Sequence, residues 1–256
     1  MNRKYLITTL GVIMGITAAV SILFGILSVM GDEDKIYIDI DDVELVQCQE
    51  IEDGAPIAII STSMGEIRAV LYPEYAPKTV ENFVKLANEG FYDGTYIYSV
   101  SKSRQFVAGA ENRDGTGSDE NDKGFDSEIH ANLWPFKGAF LSLTYQGTLC
   151  EDGTTASGNR FVVCSSVTID SETRESLLGA EGETLIADAF EQMGGIPAYS
   201  QTATVFAQTY EGFDVLDAIL AAQTSQDKPK EDIIIESIEI SEYSSEEAEG
   251  AENAQS

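Results

Sequence analysis

The sequence predicts a mainly β protein with helices: a closed antiparallel β-barrel capped by two helices and preceded by one N-terminal transmembrane helix. Three observations predict this class. Short apolar runs recur at close spacing between residues 57 and 240, separated by stretches rich in Gly, Asp, Asn and Ser, which is how a small barrel reads. Two segments among them shift to helical spacing. Residues 5–30 carry no charged side chain; at about 1.5 Å per residue that run reaches roughly 39 Å, beyond the roughly 30 Å of bilayer hydrocarbon.

Taken in order, residues 1–30 form a short cytoplasmic lead and the anchor. A cleaved secretory signal is the competing reading, but its apolar region runs to about 7–15 residues and ends in small residues, and Val29-Met30-Gly31 is a poor cleavage site. Arg3 and Lys4 precede the span while Asp32, Glu33 and Asp34 follow it, so the positive-charge bias puts the N-terminus in the cytoplasm. The expected localisation is the cell membrane, single-pass, with the domain extracytoplasmic. Residues 31–55 are a linker in which KIYIDIDDVELVQ (35–47) reads as an extra strand or as an extended acidic spacer.

The domain occupies 56–241. IAIIST (57–62) and EIRAVLY (66–72) around Met64-Gly65 read as a hairpin. Val80, Phe83, Val84 and Ala87 fall at helical spacing, and Gly90 stops that helix, expected over 79–89. Strands follow at 97–100, 104–108, 139–143, 161–164 and 204–209, with a helix at 212–222 and a closing strand at 233–240. An insertion at 166–198 reads as one or two short helices forming a flap over a barrel edge. The acidic tail, 242–256, cannot bury enough apolar surface to fold and is read as disordered.

Fifteen Lys+Arg against 44 Asp+Glu leave a net charge of −29, which argues against nucleic acid as a partner and against electrostatic docking on anionic lipid. Cys48, Cys150 and Cys164 match no metal-ligand spacing, and a Cys48–Cys150 bridge is unsupported. His130 is the only histidine and lacks clustered partners, so no metal site and no cofactor are expected.

The segment GEIRAVLYPEYAPKTVENFVKLANEGFYDG (65–94) resembles the opening of a cyclophilin, the barrel-shaped family of peptidyl-prolyl cis-trans isomerases (rotamases). The likeness extends in the family's order through Gly115-Thr116-Gly117, Phe125 and Glu128, the run from Gly138 to Leu143, Ser157–Val163 and TVFAQTYEGFDVLDAI, covering about 56–241. Gly194-Gly195-Ile196-Pro197 is similar to the end of an insertion found in cyclophilins of low-GC Gram-positive bacteria. The resemblance implies protein-folding work on proline-containing segments of exported or unfolded proteins.

Rotation about an Xaa-Pro amide faces a barrier of about 18–20 kcal/mol because the nitrogen lone pair is conjugated with the carbonyl. In the family an arginine donates toward the prolyl nitrogen as the amide twists, and an apolar pocket holds the ring. This electrostatic stabilisation needs no cofactor or nucleophile. Here the family arginine position is Ser99, preceded by Tyr98, and Arg104 and Gln105 stand at a Phe-Met pair. Val107 and Arg160 replace glutamines, Val162 a phenylalanine and Tyr199 a leucine. A serine hydroxyl is one short neutral donor where a guanidinium offers five and a permanent charge. Arg104 and Arg160 are the candidates for a relocated arginine, or else they are solvated surface residues. Tyr98, Tyr145 and Tyr199 are an aromatic floor for a peptide, or they fill space.

Two functions therefore stand side by side. One is a membrane-anchored isomerase of weak activity acting outside the membrane. The other is an inactive cyclophilin-fold peptide-binding or chaperone-like module.

Overall fold

A computed structural model describes residues 43–117, 124–149, 155–179, 182–200 and 202–246, without the side chains of 144–149 and 155–156. The span expected at 5–30, residues 35–42 of the alternating run, Cys150, the Tyr145 side chain and most of the acidic tail lie outside the described residues. Among the described residues no helix is long and apolar enough to cross a membrane.

Pro56–Thr62 (β1) and Gly65–Leu71 (β2) pair as the antiparallel hairpin that their alternation predicts. Its turn is closed by the Thr62 hydroxyl, which donates to the Gly65 carbonyl at 2.7 Å and accepts from the Met64 N–H at 3.1 Å. Pro77–Asn88 (α1) begins two residues before the predicted helix, with Pro77 in the first turn where its missing N–H costs nothing. Val80, Phe83 and Ala87 form its buried stripe.

Tyr96–Ser101 (β3), Gln105–Ala110 (β4), the two-residue Phe125–Asp126 (β5), Ala139–Leu149 (β6) and Thr155–Cys164 (β7) continue the sheet. The insertion folds as Ser171–Ser176 (α2) and Leu185–Met193 (α3). Val205–Glu211 (β8), Phe213–Leu220 (α4), the small hairpin Thr224–Ser225 (β9) and Lys228–Pro229 (β10), and Ile235–Glu242 (β11) complete the chain. The strand order is β11-β1-β2-β8-β6-β7-β4-β3, with β5 attached to β7 and every pairing antiparallel.

One expectation is corrected. The sheet curls into a half-barrel but does not close as a ladder: its ends meet at the Tyr96–Ile234 bridge and through Ile97 N–H to Ile233 O and Ile235 N–H to Thr95 O, each 2.9 Å, and Gly94 N–H to Ile235 O at 2.8 Å. The physical reason is the short overlap, because β11 begins only at Ile235 while β3 shifts register twice within its first four residues. Farther along, the edge of β3 is covered instead by the β9–β10 turn, where the Val100 N–H donates to the Asp227 carbonyl at 2.7 Å. Of 35–47, only 43–47 lie among the described residues, and there the chain runs into a single 3-10 turn at Val46–Cys48.

The concave side of the sheet holds the main core, where Phe83, Phe106, Phe140, Phe161 and Phe206 meet Ile67, Val100 and Leu216. Phe140 stacks on Phe161 at 5.5 Å, and Phe83 meets Phe161 edge-on at 5.7 Å. Each such ring, fully buried, stabilises the fold by about 1.5–3 kcal/mol. Helix α4 closes one end through a tight approach: Gly212, at φ +86°, lies so close to β2 that any Cβ would collide with the Glu66 carbonyl.

The insertion is pinned rather than loose. Arg174 of α2 pairs with Asp188 and Glu191 of α3 at 2.8 Å each, and Phe190 meets the Phe136 and Trp134 rings at 4.8 and 6.2 Å. Gly195 (φ +130°) bridges to Phe136, and the Ile196 N–H donates to Pro135 O at 2.9 Å. The Gly-Gly-Ile-Pro run thereby joins the strip leading into β6.

Candidate functional site

The convex face of the sheet carries a second apolar cluster, formed by Val107, Leu133, Ala139, Leu141, Val162, Cys164, Ile196 and Val205. Register explains its centre. Ser99 sits opposite Val107, Val107 opposite Val162, Val162 opposite Leu141, and Leu141 opposite Val205, so one row crosses five strands. Side chains in such a row project from the same side of a pleated sheet. Val107 and Val162 are each only 6 % exposed, sealed by Tyr98, Tyr199, Leu143 and Ala203 packing around the cluster.

A bulge in β3 shapes the head of this row. Ile97 pairs with Ala108 and Ser99 with Val107, leaving Tyr98 as an extra residue. Ile97 and Val100 are buried inside, while Tyr98 and Ser99 between them are both half-buried. A bulge turns consecutive residues toward one side in this way. The Tyr98 ring then lies against Gly115, whose φ of +86° and lack of a Cβ admit it; a Cβ there would stand 2.7 Å from the ring carbons.

The two candidate arginines take different places. Arg104 is exposed in the turn joining β3 to β4, its carbonyl fixed by the Ser165 N–H at 2.6 Å. Burial pushes the Tyr199 pKa up, and the positive charge of Arg104 opposes that shift. Arg160 is half-buried and donates to the Gly117 carbonyl at 2.7 Å, tying β7 to the Gly115-Thr116-Gly117 turn. Gln105, paired with Ser101 and Cys164, buries its amide oxygen without a donor.

The structure thus brings Tyr98, Ser99, Val107, Val162 and Tyr199 onto one face, with Arg104 at its margin and Arg160 committed to a neighbouring turn. Tyr145 lies in β6 with its side chain outside the described ones. Sequence reasoning missed Leu141, Ile196 and Val205 as members of this face. Alternation along β6 and β8 could have found the first and last, since Phe140 and Phe206 beside them face the core.

The remaining reactive groups have quiet surroundings. Cys164 is fully buried, and burial pushes its thiol pKa up, while Cys48 is an exposed thiol. The His130 ring meets Tyr75 edge-on at 4.8 Å, and its Nδ1 accepts from the Asn132 N–H at 3.1 Å. Among the described residues no three His, Cys, Asp or Glu side chains gather where a metal ion could sit.

The family model for cyclophilin type peptidyl-prolyl cis-trans isomerase/CLD matches residues 57–240, and the chain belongs to that family. A Staphylococcus aureus protein named "Putative peptidyl-prolyl cis-trans isomerase" is 30% identical over 196 residues, covering 76% of this chain and 96% of that protein. A Streptococcus pyogenes protein named "Putative bifunctional phosphatase/peptidyl-prolyl cis-trans isomerase" is 31% identical over 220 residues, 82% of this chain but only 45% of that relative's length. The Cryptosporidium parvum cyclophilin crystallised in the presence of the dipeptide Ala-Pro shares the fold at a TM-score of 0.55 and 19% identity, over 72% of this chain and 98% of its own.

Proposed function

We propose that the convex row is a proline-peptide groove, and that the protein is a weak cyclophilin-type isomerase acting on exported proteins outside the membrane, held there by the segment 5–30. The observation that carries this reading is the position of Ser99, turned outward by the bulge to the head of the Val107–Val162–Leu141–Val205 row. A prolyl ring seated against the half-buried Tyr98, Leu143 and Tyr199 side chains that cover that row would lay its amide near residue 99. There it would meet a short neutral hydroxyl, and losing one preorganised donor costs a hundred- to thousandfold in rate, about 2.7–4 kcal/mol.

Exchange NMR between the cis and trans signals, or a protease-coupled assay, on an Ala-Pro peptide tests the reading. The expected result is a rate above the uncatalysed one but two to three orders of magnitude, or about 2.7–4 kcal/mol, below that of an arginine-bearing relative. A rate equal to background with retained peptide binding favours the second reading, an inactive peptide-binding module, which rests on the absence of a guanidinium at 99. The topology has its own test: protease added to intact protoplasts should remove the acidic tail and spare the extreme N-terminus. A mature chain beginning near Asp32 would overturn the anchor.

A further inference from the structure

We infer that the groove selects proline segments flanked by an acidic residue, through Lys102 and Arg104 at its margin; this deepens the peptide-groove reading above and rests on it. The chain is strongly acidic, and five of its described cations, Arg68, Lys78, Arg113, Lys137 and Arg174, are engaged by carboxylates. Lys102 and Arg104, like Lys85, Lys228 and Lys230, are not, and of these five only those two stand in the turn between β3 and β4. Both are exposed in the short turn between β3 and β4, and among the described residues neither has a carboxylate partner.

Their place makes this consequential. The Arg104 carbonyl accepts from the Ser165 N–H at 2.6 Å, and the next residue, Gln105, pairs with Cys164 of the apolar cluster, so the turn that carries both cations stands at the row's edge rather than on a remote surface. The opposite end of β4 is negative on balance: Glu111 and Asp114 are exposed there, Arg113 between them is paired with Asp232, and hydrogen bonds from the Thr116 hydroxyl and N–H, with Lys228 nearby, hold the Asp114 carboxyl below the usual carboxylate range. Six residues of strand span about 20 Å, roughly two Debye lengths at physiological salt. A peptide beside β4 therefore meets a locally positive end and a locally negative end, despite the negative charge of the whole molecule. Local complementarity of this kind fixes register and excludes wrong partners.

The test uses the full-length chain in a neutral detergent and two series of capped hexapeptides, Ala-X-Ala-Pro-Phe-Ala and Ala-Ala-Pro-Ala-X-Ala, with X as Glu, Gln or Lys. Dissociation constants are read by NMR titration at low and high salt. In at least one series Glu should bind about three- to tenfold tighter than Lys, with Gln between, since exposed pairs contribute modestly, and high salt should shrink the difference. The double variant Lys102→Glu, Arg104→Glu should reverse the order, whereas Lys85→Glu, a charge reversal of the same kind and half the size on exposed α1, should not. Equal affinities in both series, or a Glu preference that survives the double variant, would overturn the selection while leaving the groove intact. Failure of every peptide to bind would instead remove the peptide-groove reading, and this inference with it.

Discussion

At the scale of single residues, the decisive feature is what position 99 presents to a twisting amide. The β3 bulge turns it outward, so a longer side chain there needs no change of backbone. Ser99→Arg should therefore raise kcat/KM on an Ala-Pro peptide at least about tenfold, short of the full hundred- to thousandfold value of a preorganised donor, because Gln105, Val107 and Val162 do not supply the family's polar and aromatic neighbours. An unchanged rate in a folded, peptide-binding variant would show that the missing guanidinium does not limit catalysis. Arg104 is tested separately. If its charge reaches the prolyl nitrogen, Arg104→Ala should return the wild-type rate to background; equal rates would assign the weak activity to the apolar row alone. The substitution at 99 was legible in the sequence because the motifs on either side fix the alignment. The outward turn of Tyr98 and Ser99 together was not, since a bulge depends on the partner strand and strict alternation would have sent one of them into the core.

At the scale of elements, α1 shows why local patterns reveal a helix but not its support. Its stripe of Val80, Phe83 and Ala87 is readable at once from spacing. Its N-terminus, however, has no side-chain cap of its own. The capping group is Glu128, whose carboxylate accepts from the Lys78 N–H at 3.0 Å, the Thr79 N–H at 2.8 Å and the Thr79 hydroxyl at 2.9 Å. Glu128 is itself held by its own N–H, which donates to the Thr204 hydroxyl at 2.7 Å. A carboxylate at the positive end of a helix satisfies orphan donors and opposes the dipole. Glu128→Ala should destabilise the domain by about 1–3 kcal/mol in chemical denaturation, the cost of leaving charge-assisted bonds unmade. Glu128→Gln should lose less, because its amide oxygen still accepts; a loss below about 0.5 kcal/mol for Ala would show that water substitutes freely. The ladder between β3 and β11 was misread for a related reason: apolar alternation at 97–100 and 233–240 fixes two strands but not how many residues of them overlap.

At the scale of the whole molecule, distant segments are locked by one buried polar side chain that no sequence pattern announces. Gln47 is 7 % exposed. Its Nε2 donates at 2.9 Å both to the Trp134 carbonyl and to Gln208 Oε1, and its Oε1 accepts from the Trp134 N–H at 2.6 Å. Gln208 in turn donates to the Lys137 carbonyl at 2.8 Å, on β8 beside β6. Beside Gln47, Val46 packs on the convex apolar cluster, and the Glu44 N–H donates to Asn132 at 3.0 Å. The linker's end thus becomes part of the folded domain, joining the strip before β6 to β8, although periodicity over 35–47 reads as a strand or spacer. Gln47→Leu keeps the volume and removes all three bonds, stranding the Trp134 N–H and one oxygen of Gln208, while the Trp134 carbonyl keeps the Phe136 N–H at 2.8 Å. Each orphaned group costs about 1–3 kcal/mol, partly offset by the apolar gain of leucine. The expected net loss is about 2–4 kcal/mol, with a parallel loss of amide-exchange protection at Trp134 and around Gln208. If the loss were confined to fraying of residues 43–49, with global stability and exchange at Gln208 unchanged, Gln47 would be a local tether and the domain would end at β1.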